Sequence, residues 1–246
     1  MSEPVSAAVC APKERIQIID ALRGLSIILM VAYHTGYNLV MFKLAPEEAL
    51  YNPLLSVLQP LFAGVFILLS GVSARYARNN RMRGLRVLGC AMVVSFVSGI
   101  FGVLIYFGIL HCLGLCMILC GDPERTLDRV LPRLIQPFLL VPLFVIGRIF
   151  LYFESEIVAP IPYVYIFGLY PPDFGSADYF PILPWFFLYL LGAWVGLYIK
   201  ERRFPRWFYA FRMPFLPVVG RHTLLIYMLH QPVVYFVVMG LSALLS

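Results

Sequence analysis

Charge is scarce in this chain. Only 13% of its 246 residues are Asp, Glu, Lys or Arg, while 61% are hydrophobic. Soluble domains carry about 25% charged residues, so the composition excludes an ordinary water-soluble domain and reads as an integral membrane protein. Cysteine is sparse as well. Of the five cysteines, Cys112, Cys116 and Cys120 recur every four residues, which places them on one helix face. Small polarizable residues in that pattern suit close helix packing. Three thiols stacked along one helix cannot surround a tetrahedral metal, and Cys10 and Cys90 add no visible pairing, so nothing reads as a disulfide framework. The histidines show no His-x-x-x-His spacing and have no carboxylate beside them, and no metal is expected. A Gly-rich phosphate loop, an HEXXH helix and a G-x-S-x-G elbow are all missing. So is any Asp or Glu in the middle of an apolar run, which counts against an ion-coupled transporter. The net charge of +6 comes with no nucleic-acid motif, and its basic residues are spread among short loops, so no nucleic-acid partner is expected.

What is present is a series of apolar runs. Gly24–Phe42, Pro53–Ala74, Leu134–Phe153 (interrupted by Arg148), Pro181–Ile199 and Thr223–Ser246 each have the length of one membrane helix. Val87–Gly121 holds 35 residues without a formal charge, too many for one span at 1.5 Å per residue across a core of about 30 Å. Loop charge decides between one helix and two. With two helices turning near Gly102–Gly108, 17 of the 19 basic residues fall on one side and only Lys43 and Arg148 on the other. The positive-inside rule makes that side the cytoplasm. The expectation is an all-α, polytopic membrane helix bundle of about seven transmembrane helices, a single domain over residues 1–246. Its N-terminus is cytoplasmic and its C-terminus external, in the plasma membrane. Residues 1–15 form a polar cytoplasmic tail in which Lys13 and Arg15 precede the first span. No A-x-A-like cleavage site follows, so the first span reads as an uncleaved anchor. The outer loops carry Glu47, Glu48, Glu154, Glu156, Asp173 and Asp178. The longest, residues 154–180, is rich in Tyr and Pro, either an interfacial aromatic belt or a lid over an external acceptor.

The stretch "IDALRGLSIILMVAYH" carries the first chemical signal. Arg23 and His34 are eleven positions apart, which at 100° per residue returns them to one face about 16 Å apart along the axis. Asp20, Ile27 and Met30 share that stripe. Lipid disfavours a polar stripe, so this face should look into the protein or a wet cavity. Arg23 either snorkels to headgroups or grips a ligand. His34 is either a hydrogen-bonded helix contact or a functional group. His111 in "YFGILHCLGL" reaches a similar depth on the fourth helix, and His230 in "GRHTLLIYMLHQPV" lies near a turn that Pro232 should loosen. Both read first as structural polar contacts. Ser70–Ser73 permits close backbone approach, for packing or for a groove beside Arg75 and Arg78.

These blocks, with "FAGVFILLSGVSARYARNNRMRG" and "FPILPWFFLYLLGAWVG", fall in order from about residue 15 to 236. Together they resemble bacterial members of the heparan-alpha-glucosaminide N-acetyltransferase catalytic-domain family. Arg23 and His34 with ten residues between also resemble the Arg-x10-His motif of the broader integral-membrane acyltransferases. The resemblance implies transfer of an acetyl group, N- or O-linked, from cytosolic acetyl-CoA to an extracytoplasmic acceptor, a sugar of an envelope glycan. Larger eukaryotic relatives place the catalytic histidine just past the first helix, whereas residues 35–53 here contain no histidine; the likeness to the broader motif implies His34 as general base, with His111 as the second catalytic candidate. Arg23, Ser70, Ser73, Arg75, Arg78 and Arg83 are expected to hold the donor, and Tyr37, Asn38, His230 and Gln231 the acceptor. Expected partners are membrane lipid and a glycan or amino-sugar acceptor, with a homo-oligomer left open. A small-solute transporter is the alternative.

Overall fold

The computed structural model describes residues 15–50, 52–153, 163–170 and 174–245. The N-terminal tail with Cys10 and Lys13, and the acidic residues Glu154, Glu156 and Asp173 of the long loop, lie outside the described residues. Among the described residues the fold is a bundle of ten α-helices: α1 (Gln17–Met41), α2 (Pro53–Ala74), α3 (Asn80–Ile100), α4 (Ile109–Cys120), α5 (Leu127–Val130), α6 (Gln136–Phe153), α7 (Ile182–Lys200), α8 (Arg206–Ala210), α9 (Leu216–Arg221) and α10 (Thr223–Leu245). No strand forms among the described residues, where a single bridge joins Phe107 to Tyr179. Five helices, α1, α2, α3, α7 and α10, are long and apolar enough to cross a membrane. The helices α4 and α6 are shorter apolar elements, and the 12 residues of α4 reach only about 18 Å.

Local signals explain most of the boundaries. Asn52 caps α2 by accepting the Leu55 N–H at 3.0 Å, with Pro53 at the first helical position. Asn79 caps α3 by accepting the Met82 N–H at 3.0 Å. That cap starts α3 seven residues before the uncharged run at Val87. Most of the basic segment read as a loop, residues 75–86, is therefore helix, because arginine is a good helix former and charge marks only the membrane boundary. The long run breaks where Gly102 takes φ +74°, and α4 ends at Gly121 with φ +56°. The basic segment 200–221 also folds, as α8 and α9. Gly220 and Gly24 let α9 lie directly on α1. A Cβ on Gly220 would overlap the Asp20 carbonyl, and one on Gly24 the Leu216 carbonyl.

Burial separates two kinds of helix. In α4, Leu110, Cys112, Leu113, Cys116, Met117 and Cys120 are all buried, with α3 and α7 packed around them. Phe96 of α3, Phe138 of α6 and Leu244 of α10 are fully outward, as a lipid-facing surface requires. On α1 the polar stripe faces inward: Asp20 and Ile27 are buried, whereas Leu22, Leu25 and Ile28 point away.

Candidate active site

Two imidazoles meet inside the bundle. The His34 ring of α1 lies 5.1 Å from the His230 ring of α10, centroid to centroid, with the planes 53° apart. His230 is 9% exposed, and its Nδ1 lies 2.7 Å from the Tyr227 carbonyl oxygen. A carbonyl only accepts, so Nδ1 carries the proton and Nε2 is left as the lone-pair nitrogen of the neutral ring. That Nε2 is buried without a hydrogen-bond partner.

A carboxylate completes the cluster. The Tyr227 hydroxyl donates to Asp178 Oδ2 at 2.8 Å, and the Ile109 N–H at the start of α4 donates to the same oxygen at 3.0 Å. Asp178 belongs to the segment before α7, which is pinned by Ala177 N–H to the Leu104 carbonyl and Phe180 N–H to the Phe107 carbonyl, both at 2.9 Å. Gly108 makes room, since a Cβ there would overlap the carboxylate. Burial pushes the Asp178 carboxyl above the usual carboxylate range, against the Ile109 and Tyr227 hydrogen bonds and the nearby imidazoles of His111 and His230.

Three cavities surround these groups. One of about 340 Å³ is bordered by His34, Tyr37, Asp178, Tyr227, His230 and Gln231, and extends along α3 and α10 to Phe101 and Phe236. A narrow one of about 40 Å³ follows α1 from His34 to Ser26 against Gln59, Phe62 and Phe66 of α2, and also touches Asp178 and Tyr227. A third, about 290 Å³, lies beside Gln59, Arg148, Tyr170 and Trp185. His34, Asp178 and Tyr227 border the first two.

The other expected residues divide. Gln231 joins the large cavity, and its Oε1 is buried with no partner. Asn38 does not border these cavities; its Nδ2 donates to the His34 carbonyl at 2.9 Å while Oδ1 stays unpartnered. His111 caps the N-terminus of α4. Its Nδ1 accepts the Gly108 N–H at 3.3 Å, and Nε2 lies 3.5 Å from Ser95 Oγ. Both ring nitrogens are engaged, and the geometry is that of a cap.

At the other end of α1, Arg23 donates to the Leu69 carbonyl at 3.0 Å and to Ser73 Oγ, and pairs with Asp20 at 3.4 Å. Arg83 reaches the Ser73 carbonyl at 3.4 Å, which brings Arg23, Ser73 and Arg83 into one group. Ser70 is buried one turn away on α2, and Arg78 is exposed. Arg75 stands apart. Its Nε donates to the Ala193 carbonyl at 2.7 Å, and its two terminal nitrogens grip Asp128 at 2.6 and 2.7 Å. Burial lifts the Asp128 carboxyl. The Arg75 and Gln136 hydrogen bonds and the charges of Arg75 and Arg133 outweigh it and hold the group below the usual range.

Residues 15–232 match the family model described as heparan-alpha-glucosaminide N-acetyltransferase, catalytic. The chain belongs to that family. Its likeness to an N-acetyltransferase thus runs through α1 to the turn of α10 that carries His230, and its long apolar helices make it a membrane protein. No curated protein and no solved structure matches the chain.

Two members of the cluster, Asp178 and Tyr227, escape sequence reasoning. Asp178 reads as one more acid of an outer loop. The available signal is its position three residues before Pro181, where an apolar span begins. Asp178 places a carboxylate inside the bundle, so the lack of acids within the apolar runs does not by itself separate an enzyme from a transporter.

Proposed function

We propose that the chain moves an acetyl group from cytosolic acetyl-CoA to a sugar of an envelope glycan on the far side of the plasma membrane. The observation that carries this reading is the His34–His230 pair: His34 borders both the large and the narrow cavity about 16 Å along α1 from Arg23, and His230 beside it keeps an unengaged Nε2. His34 takes the proton from an acceptor hydroxyl or amine as that oxygen or nitrogen bonds to the thioester carbonyl carbon. The C–S bond breaks, the CoA sulfur leaves with the electron pair, and the imidazolium returns the proton to it. The acceptor gains acetyl, CoA leaves as the thiol and His34 is neutral again. His230 lies beside the charge that develops on His34, and Asp178 lies near His230 in turn.

Arg23, Arg78 and Arg83 are the proposed grip on the donor phosphates, with Ser70 and Ser73 beside them. Arg75 supports the frame, since its donors are already taken by Asp128 and Ala193. The narrow cavity from His34 to Ser26 follows the path of an extended thioester arm. The segregation of basic residues supports seven crossings with a cytoplasmic N-terminus. So does the parallel course of α1 and α10, which agrees with an odd number of crossings.

The test is acetyl-CoA titration of the purified protein, followed by transfer of labelled acetyl to amino-sugar acceptors. Binding that Arg23→Gln weakens supports the donor site, and binding unaffected by Arg23→Gln moves that site elsewhere. The buried Asp178 gives solute transport a physical basis as a second reading, and a chain that does not bind acetyl-CoA favours it. A cysteine placed at 175 should label from outside and one at 80 should not; labelling of both from one side overturns the direction of transfer.

A further inference from the structure

The large cavity has two unlike ends. At one end stand His34, Asp178, His230 and Gln231, where His230 Nε2 and Gln231 Oε1 are buried without partners. From there it runs between α3 and α10 past Val93, Val97 and Leu229 to Phe101 and Phe236, and the lining polar side chain on α3 is Ser98 alone. The ring of Phe101 meets those of Tyr235 and Phe236 at 6.0 and 5.7 Å and closes the far end. The side stays open. Val93 is 51% exposed and Leu229 53%, and among the described residues α3 packs on α4 and α10 on α1 with no extensive contact between α3 and α10. Both flanking helices are long and apolar enough to span a membrane, so this mouth faces hydrocarbon, not water.

We propose that the acceptor is a lipid-linked sugar, whose hydrocarbon chain enters sideways between α3 and α10 and whose hydroxyl- or amine-bearing ring meets His34 and His230. This rests on the acetyl-transfer reading above and names its acceptor class. A free sugar taking this route would carry its hydroxyls past valine and phenylalanine with few groups to bond besides Ser98 and the lining tyrosines, and each group left unpaired is costly. An amphipathic acceptor avoids that cost because its chain never leaves an apolar medium. The bilayer is as apolar as the groove, so the chain adds little transfer energy. Its contributions are local concentration and a fixed approach direction. The unpartnered Nε2 and Oε1 are both acceptors, suited to the O–H and N–H donors of a sugar.

The probe is dodecyl glucosaminide with a diazirine in its alkyl chain, against methyl glucosaminide, using the full chain in lipid nanodiscs. Photolabelling of the wild type should concentrate in residues 93–101 and 228–236, and unlabelled dodecyl glucosaminide should displace it while added phospholipid does not. With acetyl-CoA present, KM for the dodecyl acceptor should lie about tenfold or more below that for the methyl one, a difference of about 1.4 kcal/mol. Val97→Trp should collapse that ratio. Label spread over the whole lipid-facing surface, or displaced equally by phospholipid, means that ordinary bilayer lipid fills the groove and overturns the proposal. Equal KM for both acceptors overturns it too. Focused, displaceable labelling without acetylation of either acceptor leaves the groove as a glycolipid site and refutes the acetyl-transfer reading instead.

Discussion

The two ends of α1 treat polar groups in opposite ways. At the arginine end, hydrogen bonds and ion pairs are spent inside the protein: Arg23 on Leu69, Ser73 and Asp20, Arg75 on Ala193 and Asp128. At the histidine end, His230 Nε2, Gln231 Oε1 and Asn38 Oδ1 are buried and unspent, against Gln136 Oε1 beside Asp128 at the arginine end. A buried polar atom without a partner costs about 1–3 kcal/mol, so three of them near one place mark a region shaped for something other than stability. The difference teaches where structure ends and work begins. The arginine end, rich in charge, is braced by Arg75, with Arg23, Arg78 and Arg83 as the proposed donor grip, and the histidine end, poor in charge, keeps buried acceptors open for a ligand.

That contrast can be broken most sharply at His34. The change His34→Gln keeps hydrogen-bonding capacity but removes the proton acceptor, and should lower acetyl transfer by about 10²–10⁴-fold while acetyl-CoA affinity stays within error. Transfer at the wild-type rate would make His34 a helix contact and pass the role of base to another imidazole, His111 being the second candidate from the sequence and His230 the one beside the cavity.

Next in size is Arg75→Ala, which should leave Asp128 with only Gln136 and the more distant Arg133 and destabilise the fold by up to about 3 kcal/mol, read as the midpoint of thermal unfolding in detergent. Arg75→Met with Asp128→Leu should recover much of that loss. A single variant as stable as wild type would mean that Arg75 does not brace the arginine end.

A smaller effect concerns acidity, with opposite signs at the two ends. Asp128 sits below its unfolded value, so its contribution is present above the ordinary carboxyl pKa of about 3.9 and is lost as pH falls through the lower folded value. Asp178 sits above its unfolded value, so its contribution is present below about 3.9 and is lost as pH rises through the higher folded value. Stability measured against pH should therefore flatten on the acid side in Asp128→Asn and on the less acid side in Asp178→Asn. The same flattening in both would contradict the two environments.

The smallest change expected is in Gln231→Leu. Removing an unsatisfied Oε1 should leave the unfolding midpoint unchanged or raise stability by up to about 1 kcal/mol, while KM for the acceptor rises. A clear loss of stability would show that Gln231 is held by the fold and not reserved for a ligand.

Much of the architecture was legible because hydrocarbon imposes a simple rule. Charge-free runs had to become helices, and the 35-residue run had to break, which it does at Gly102. The inward turn of Asp20 and Ile27 followed from their angular positions on α1. Basic segments were less legible. Charge locates the membrane edge but does not say whether the chain beyond it is coiled, so the early start of α3 at Asn80 and the helices α8 and α9 were invisible. At the site, spacing along one helix brought out Arg23 and His34. The partners of His34 come from α10 and from the segment before α7, and no periodicity links residues so far apart in sequence. Asp178 was hardest to see because its depth depends on a loop folding inward over Gly108.

The contact of α9 on α1 works as a ruler. A Cβ on Gly24 would sit 3.1 Å from the Gly220 nitrogen, so the two chains share a zero mark there. His34 lies ten residues beyond Gly24, and His230 ten residues beyond Gly220. On α1 that count is one unbroken helix rising about 15 Å; on the other arm it crosses the break at His222 between α9 and α10, and the two rings still meet. Adding or deleting one residue on the α1 arm would move its ring by about 1.5 Å and swing it by about 100°. The facing of the two imidazoles is thus a matter of counting, set by glycines a long way from either ring.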